Sequence, residues 1–206
     1  IRDLSLTGVQ TCALPISTVI GYVVPDGPAA QAGLKPGDKI LEVNRSPVTK
    51  FAGMGNMGQS VIWNVVRSEE PLIPVKFERD GKVQTVEVEP VTPEREGWGR
   101  RPLRQIGILP ATTPMVAKIF PDSPAAAAGI RPRDLITAVD GEPLLSLASL
   151  SIFLNTHPAG EPIDLTVQRG DETLQLAVTP VVPEGEDKPR VGILWDDRGV
   201  TVLEHP

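Results

Sequence analysis

Apolar positions along this chain fall in short runs rather than long helical stripes. Val19 to Val24 and Met115 to Phe120 are near-continuous apolar runs of strand length, and ILEV (40–43) and LITAV (135–139) are two more. VKFERDGKVQTVEVEPV (75–91) and LTVQRGDETLQLAVTPV (165–181) alternate apolar and polar residues around Asp80-Gly81 and Gly170-Asp171. Alternation on both sides of such a dipeptide predicts a β-hairpin. The clearest helical pattern is SLASLSIFLNTH (146–157). There Leu147, Leu150 and Leu154 share one face, and Ala148, Ile152 and Phe153 lie on another. A helix apolar on more than one side needs two covers.

These elements occur twice. PDGPAAQAGLKPGDKILEVN (25–44) and PDSPAAAAGIRPRDLITAVD (121–140) align without gaps at an offset of 96, and eleven of twenty positions are identical. Each copy predicts a strand, a turn, a short helix and a second strand. Ser123 suits the N-cap and Pro124 the first helical position. The alanines allow close packing at little entropic cost. Gly33 and Gly129 fit the left-handed residue that ends such a helix. Asp38 and Asp134 are expected to cap a loop rather than do chemistry. The two hairpins align at an offset of 90, so the first copy carries six extra residues, placed in the glycine-rich stretch FAGMGNMGQ (51–59). IGIL (106–109) and VGIL (191–194) form a third, shorter repeat. If IGIL opens the second unit, its counterpart in the first falls near position 11, and the first unit lacks its own copy.

Position 11 lies in a foreign-looking segment. Residues 7–16, TGVQTCALPI, resemble the direct translation of a common short-read sequencing adapter, and residues 1–16 are set aside from fold reasoning on that ground. The natural chain is then expected to be N-terminally truncated, and to lack cysteine, since Cys12 is the only one.

Composition narrows the classes. With 22 prolines and 19 glycines in 206 residues, turns and short strands are favoured over long helices. Aromatics are 4%, so the cores must be aliphatic. A net charge of -6 with no basic stripe argues against nucleic acid as a partner. His157 and His205 lie far apart outside any HExxH motif, which argues against a histidine-based metal site or hydrolase. Trp63, Trp98 and Trp195 read as packing residues. Asp196-Asp197 and Glu184, Glu186 and Asp187 read as solvated charge, and residues 51–59 lack the lysine of a phosphate loop.

The apolar strand, the P-x-S/G-P-A-A-x-A-G-L/I-x-P-x-D-x-I-x-x-V-D/N motif, the helix and the hairpin together resemble bacterial PDZ domains. Val139-Asp140-Gly141 completes the motif in the second copy, whereas Val43-Asn44-Arg45 departs from it in the first. The resemblance implies an α+β, β-rich fold class: two tandem bacterial-type PDZ domains, each a small, partly open antiparallel β-barrel or sandwich with two helices. The expected division is 17–102 for the first domain with its linker, 103–184 for the second, and 185–206 for a C-terminal strand and tail leading toward a membrane.

The tandem arrangement is similar to the PDZ pair of membrane-embedded site-2 zinc proteases of the regulator of sigma-E type. That family's zinc ligands and catalytic glutamate lie in transmembrane helices not represented here, so no catalytic residue and no metal ligand is carried over. The resemblance implies zinc in a full-length protease, none in this fragment, and the extracytoplasmic face of an inner membrane. The partners it implies are protein C-termini or extended substrate segments, and the protease core of the same chain. Two alternatives stand: the PDZ region of a soluble envelope serine protease of the high-temperature-requirement type, and a non-enzymatic adaptor. PDZ domains bind chain ends by strand addition beside a loop of free N–H groups. The peptide-binding residues expected in the second unit are Gln105, Ile106, Gly107 and Ile108, facing Leu150, Phe153 and Leu154 of the helix. No peptide-binding residue is assigned to the first unit.

Overall fold

A computed structural model describes residues 18–53, 56–93 and 102–196. The adapter-like segment 1–16, Trp98, Asp197 and the tail through His205 lie outside the described residues.

The first unit runs β1 (Ile20–Val23), α1 (Pro28–Gln31), β2 (Lys39–Val43), β3 (Ser46–Pro47), α2 (Val61–Arg67), β4 (Ile73–Arg79), β5 (Lys82–Val88) and β6 (Ile108–Pro110). The second repeats it as β7 (Val116–Ile119), α3 (Pro124–Ala127), β8 (Leu135–Val139), β9 (Glu142–Pro143), α4 (Leu147–Thr156), β10 (Ile163–Arg169), β11 (Glu172–Val178) and β12 (Ile193–Trp195). Each unit has a four-stranded antiparallel sheet, ordered β3-β2-β4-β5 or β9-β8-β10-β11, and a two-stranded one, β1-β6 or β7-β12. The sheets are open and do not close into barrels.

Local chemistry explains most elements. Ser123 Oγ accepts from Ala126 N–H, with Pro124 at the first helical position. Gly33 and Gly129 sit at φ +83° and +79° and end α1 and α3. Asp80 and Gly81 both have positive φ, as a type I′ hairpin turn requires. The alternation in β4 and β10 places Val75 and Phe77, and Leu165 and Val167, in two separate aliphatic cores.

Two strand pairings cross the expected division. β6 pairs with β1, not with a strand of the second unit, so the IGIL element completes the first unit across the boundary expected at 102/103. VGIL likewise completes the second unit, because β12 pairs with β7. Neither unit lacks the element, and the strand expected to lead away from the second unit is part of it.

The stretch after β6 is held on both sides: Ala111 N–H donates to Val19 O of the first unit at 2.9 Å. Thr112 N–H donates to Leu145 O at 2.9 Å, and Leu147 N–H at the start of α4 donates to Thr112 Oγ1 at 2.8 Å. A Cβ on Gly21 of β1 would lie 2.4 Å from Pro110 O and 2.6 Å from Leu145 O.

Candidate functional site

The IGIL and VGIL loops owe their shape to where their carbonyls go. Ile106 O accepts from Ala29 N–H at 2.9 Å, and Gly107 O accepts from Val24 N–H at 2.8 Å. The second unit repeats both bonds: Val191 O accepts from Ala125 N–H at 2.8 Å and Gly192 O from Phe120 N–H at 3.0 Å. In a trans peptide the N–H points opposite to the carbonyl of the same plane. Anchoring these two carbonyls therefore turns the N–H groups of Gly107 and Ile108, and of Gly192 and Ile193, away from the rest of their unit. The strand register agrees. Val23 faces Ile108 and Ile119 faces Ile193 as the pairs next to the bonded ones, so Ile108 and Ile193 aim their N–H groups away from the partner strand. Among the described residues, Gly107 N–H and Gly192 N–H have no acceptor.

Glycine is required at the turn. Gly107 and Gly192 have φ of +76° and +80°. At Gly192 space forbids a side chain as well, since a Cβ would lie 2.2 Å from Ser123 Cβ. At Gly107 the nearest atom would be Val24 Cβ at 3.3 Å, and residue 27 is glycine where the second unit has Ser123.

Each loop opens on a groove walled by a helix. In the first unit the hollow, about 590 Å³, lies between Ile106–Leu109 and the α2 residues Val61, Ile62, Val65 and Val66. In the second, about 510 Å³, it lies between Val191–Ile193 and the α4 residues Leu150, Ser151, Leu154 and Asn155. The helices correspond at an offset of 89: Val61 and Val65 are buried like Leu150 and Leu154. The extra residues of the first unit thus precede its groove helix. Ser60 caps that helix, accepting from Trp63 N–H, and buried Asn64 ties the preceding turn to it with bonds to Gly58 O and Ser60 O.

The expected site residues therefore divide between two grooves. Gln105, Ile106, Gly107 and Ile108 line the first, opposite α2. Leu150 and Leu154 line the second, opposite Val191, Gly192 and Ile193. They do not face one another. Phe153 lines neither groove; it packs on the second core and stacks on His157 with ring centroids 5.3 Å apart. The partners missed from sequence were Val61 and Val65 in one groove and Val191, Gly192 and Ile193 in the other. The signal was present: both IGIL and VGIL follow a hairpin. Trp195 packs against the second core and also borders its groove, while Trp63 is 39% exposed.

Asp38 and Asp134 lie outside the grooves and brace their units. Asp134 is buried; its carboxylate accepts from Arg169 Nε and Nη2 at 2.8 and 2.7 Å and from Arg131 N–H at 2.8 Å. Burial pushes its pKa up, but the Arg169 hydrogen bonds, the Arg131 amide and the neighbouring positive charge outweigh this, and the net pKa is lowered. Among the described residues no group of three or more His, Cys, Asp or Glu could hold a metal ion, and no helix is long and apolar enough to cross a membrane.

Comparison with known proteins identifies the family. Two PDZ domain family profiles match, one over residues 97–179 and one over 19–59. A Neisseria meningitidis protein named as a zinc metalloprotease is 32% identical over 176 residues, covering 84% of this chain and 38% of its own length. The regulator of sigma-E protease of Salmonella typhimurium is 26% identical over 181 residues, covering 80% of this chain and 36% of the relative. The periplasmic serine endoprotease DegP of the same species is 28% identical over 165 residues, covering 76% and 33%. The chain thus spans about a third of the length of each of these three relatives.

Proposed function

The chain belongs to the PDZ domain family, which it contains twice in tandem, and on that premise we propose that it is a peptide-binding module with two grooves. The observation that carries the reading is the pair of outward amides in each loop, Gly107 with Ile108 and Gly192 with Ile193, each beside a groove helix that contributes a buried apolar pair, Val61 and Val65 or Leu150 and Leu154. An extended chain can add to the open edge of β6 or β12, with its last groups held by those amides. The division into units that fits this reading runs 18–110 and 111–196.

The parent protein we propose is a membrane-embedded site-2 zinc protease, in which the pair gates or regulates substrate access on the extracytoplasmic side. The zinc metalloprotease and regulator of sigma-E relatives, each aligned across most of this chain, support this. The alignment with the DegP serine endoprotease supports a second reading, the PDZ region of a periplasmic serine protease.

Reading the coding sequence on both sides of this segment separates the two. An HExxH motif within an upstream apolar helix is the expected result. A GNSGG motif upstream, in place of that helix, overturns it in favour of the serine protease. Peptide binding is tested by displaying random chain ends to residues 18–196; failure to select any peptide at either groove overturns the module reading.

A further inference from the structure

The two grooves share a backbone and differ in chemistry. At the equivalent helix positions the first presents Ile62 and Val66, and the second presents Ser151 and Asn155. Ile62 is 43% exposed although nothing polar accompanies it on that wall, so its side chain is open to contact from the groove.

Charge differs as well. Among the described residues, the only charged side chain lining the first groove is Arg104. Its guanidinium donates to two backbone carbonyls, Ser68 O and Glu70 O, the latter at 2.7 Å. Neutral carbonyls fix the group in place, and among the described residues no carboxylate pairs with it. The second groove is lined by Asp122, Glu186 and Arg190, and Arg190 Nε is spent on Glu186 Oε2 at 2.7 Å. That set sums to a negative charge. The open edge differs too: the first groove's strand ends in Pro110, which has no N–H to donate, so pairing stops after Ile108 on the outward side.

We propose that the two grooves take different chain chemistries: the first an apolar C-terminus ending in a free carboxylate, the second a segment with hydrogen-bonding side chains and no free carboxylate. A carboxylate is held in the first groove by the Gly107 and Ile108 amides in a field made positive by Arg104, where charge-assisted bonds gain most. In the second groove the same amides are present, but Asp122 and Glu186 oppose an anion, while Ser151 and Asn155 offer donors and acceptors to a passing chain. The proposal rests on the peptide-groove reading above.

The test uses the intact, ¹⁵N-labelled chain, because the amide signals of Gly107 and Ile108 report one groove and those of Gly192 and Ile193 the other. The probes are the hexapeptide acetyl-Gly-Ser-Gly-Val-Val-Val with a free C-terminal carboxylate, the same peptide as its amide, and acetyl-Gly-Ser-Gly-Ser-Asn-Ser amide. At Gly107 and Ile108 the acid is expected to bind about tenfold or more tighter than its amide, a difference of about 1.4 kcal/mol. At Gly192 and Ile193 the polar amide is expected to bind tightest, with no gain for the acid. In the exposed Glu186→Gln variant, freeing Arg190 is expected to raise affinity for the acid at Gly192 and Ile193 and leave the first groove unchanged. Equal acid preference at both grooves, or no effect of Glu186→Gln at the second, overturns the proposal. Absence of any shift at all four amides with all three peptides overturns the peptide-groove reading itself, and this inference with it.

Discussion

Arg169 holds Asp134 through two parallel hydrogen bonds of 2.8 and 2.7 Å, and its Nη2 also reaches Gly129 O at 2.8 Å. One side chain on the end of β10 thus ties the hairpin to the end of α3 and to the loop entering β8. Arg79 makes the same bonds to Asp38 and Gly33 in the first unit. Sequence reading assigned the aspartates to loop capping, which Lys35 N–H and Arg131 N–H bear out at 2.8 Å each. It did not foresee the arginines, although both fall at the same place in the repeated hairpin.

Removing the clamp has a signed consequence. Arg169→Met leaves a buried carboxylate without its cation, and the second unit is expected to be destabilised. Because the Asp134 pKa is lowered by folding, its contribution is fully present above the ordinary carboxylate value and is lost as pH falls through the folded value. Thermal melts from pH 7 down to pH 2 check this. The wild-type midpoint should fall steeply below about pH 4, and Asp134→Asn should flatten that part of the curve.

Gly192→Ala and Gly107→Ala should differ although the glycines are equivalent. Both force alanine into the left-handed region, at about 1–2 kcal/mol. Only Gly192→Ala also drives a methyl into Ser123 Cβ, which adds about 1–3 kcal/mol. Adding Ser123→Gly, the residue type the first unit has at position 27, should recover the second part and not the first. Urea denaturation of the single and double variants measures the coupling.

Gly21→Ala should separate the units before it unfolds either core. The added carbon meets only backbone: Pro110 O, Ala111 Cα and Leu145 O, all within 2.6 Å. Backbone cannot rotate aside as a side chain can, so the end of the β1–β6 pairing and the junction beside it must open together. Hydrogen exchange should show lost protection at Ala111, whose amide bonds Val19 O across the junction, ahead of Val75 or Leu165. Uniform loss of protection would count against this.

Arg45→Gly should stabilise the first unit. Arg45 has φ +62° and is exposed, while the second unit has Gly141 at φ +81° in the same turn. Relief of the left-handed conformation is worth about 1 kcal/mol, less the entropy of a freer unfolded chain. A rise in melting temperature checks it.

Much of this protein was determined by its sequence alone, because the signals are local. Ser123 and Pro124 start α3, Gly129 ends it, Asp80-Gly81 turns a hairpin, and Ser146 and His157 bound α4 as its pattern implied. Each depends on φ preferences or on a hydrogen bond spanning a few residues. What only the tertiary structure decided is which unit owns IGIL. Its anchors are Ala29 and Val24, more than seventy residues upstream, and no local preference distinguishes closing the preceding unit from opening the next. That one pairing moved Ile106 and Ile108 from the α4 wall to the α2 wall and turned one expected groove into two. Backbone donors and acceptors carry no side-chain label, so their partners emerge only when the chain has closed on itself.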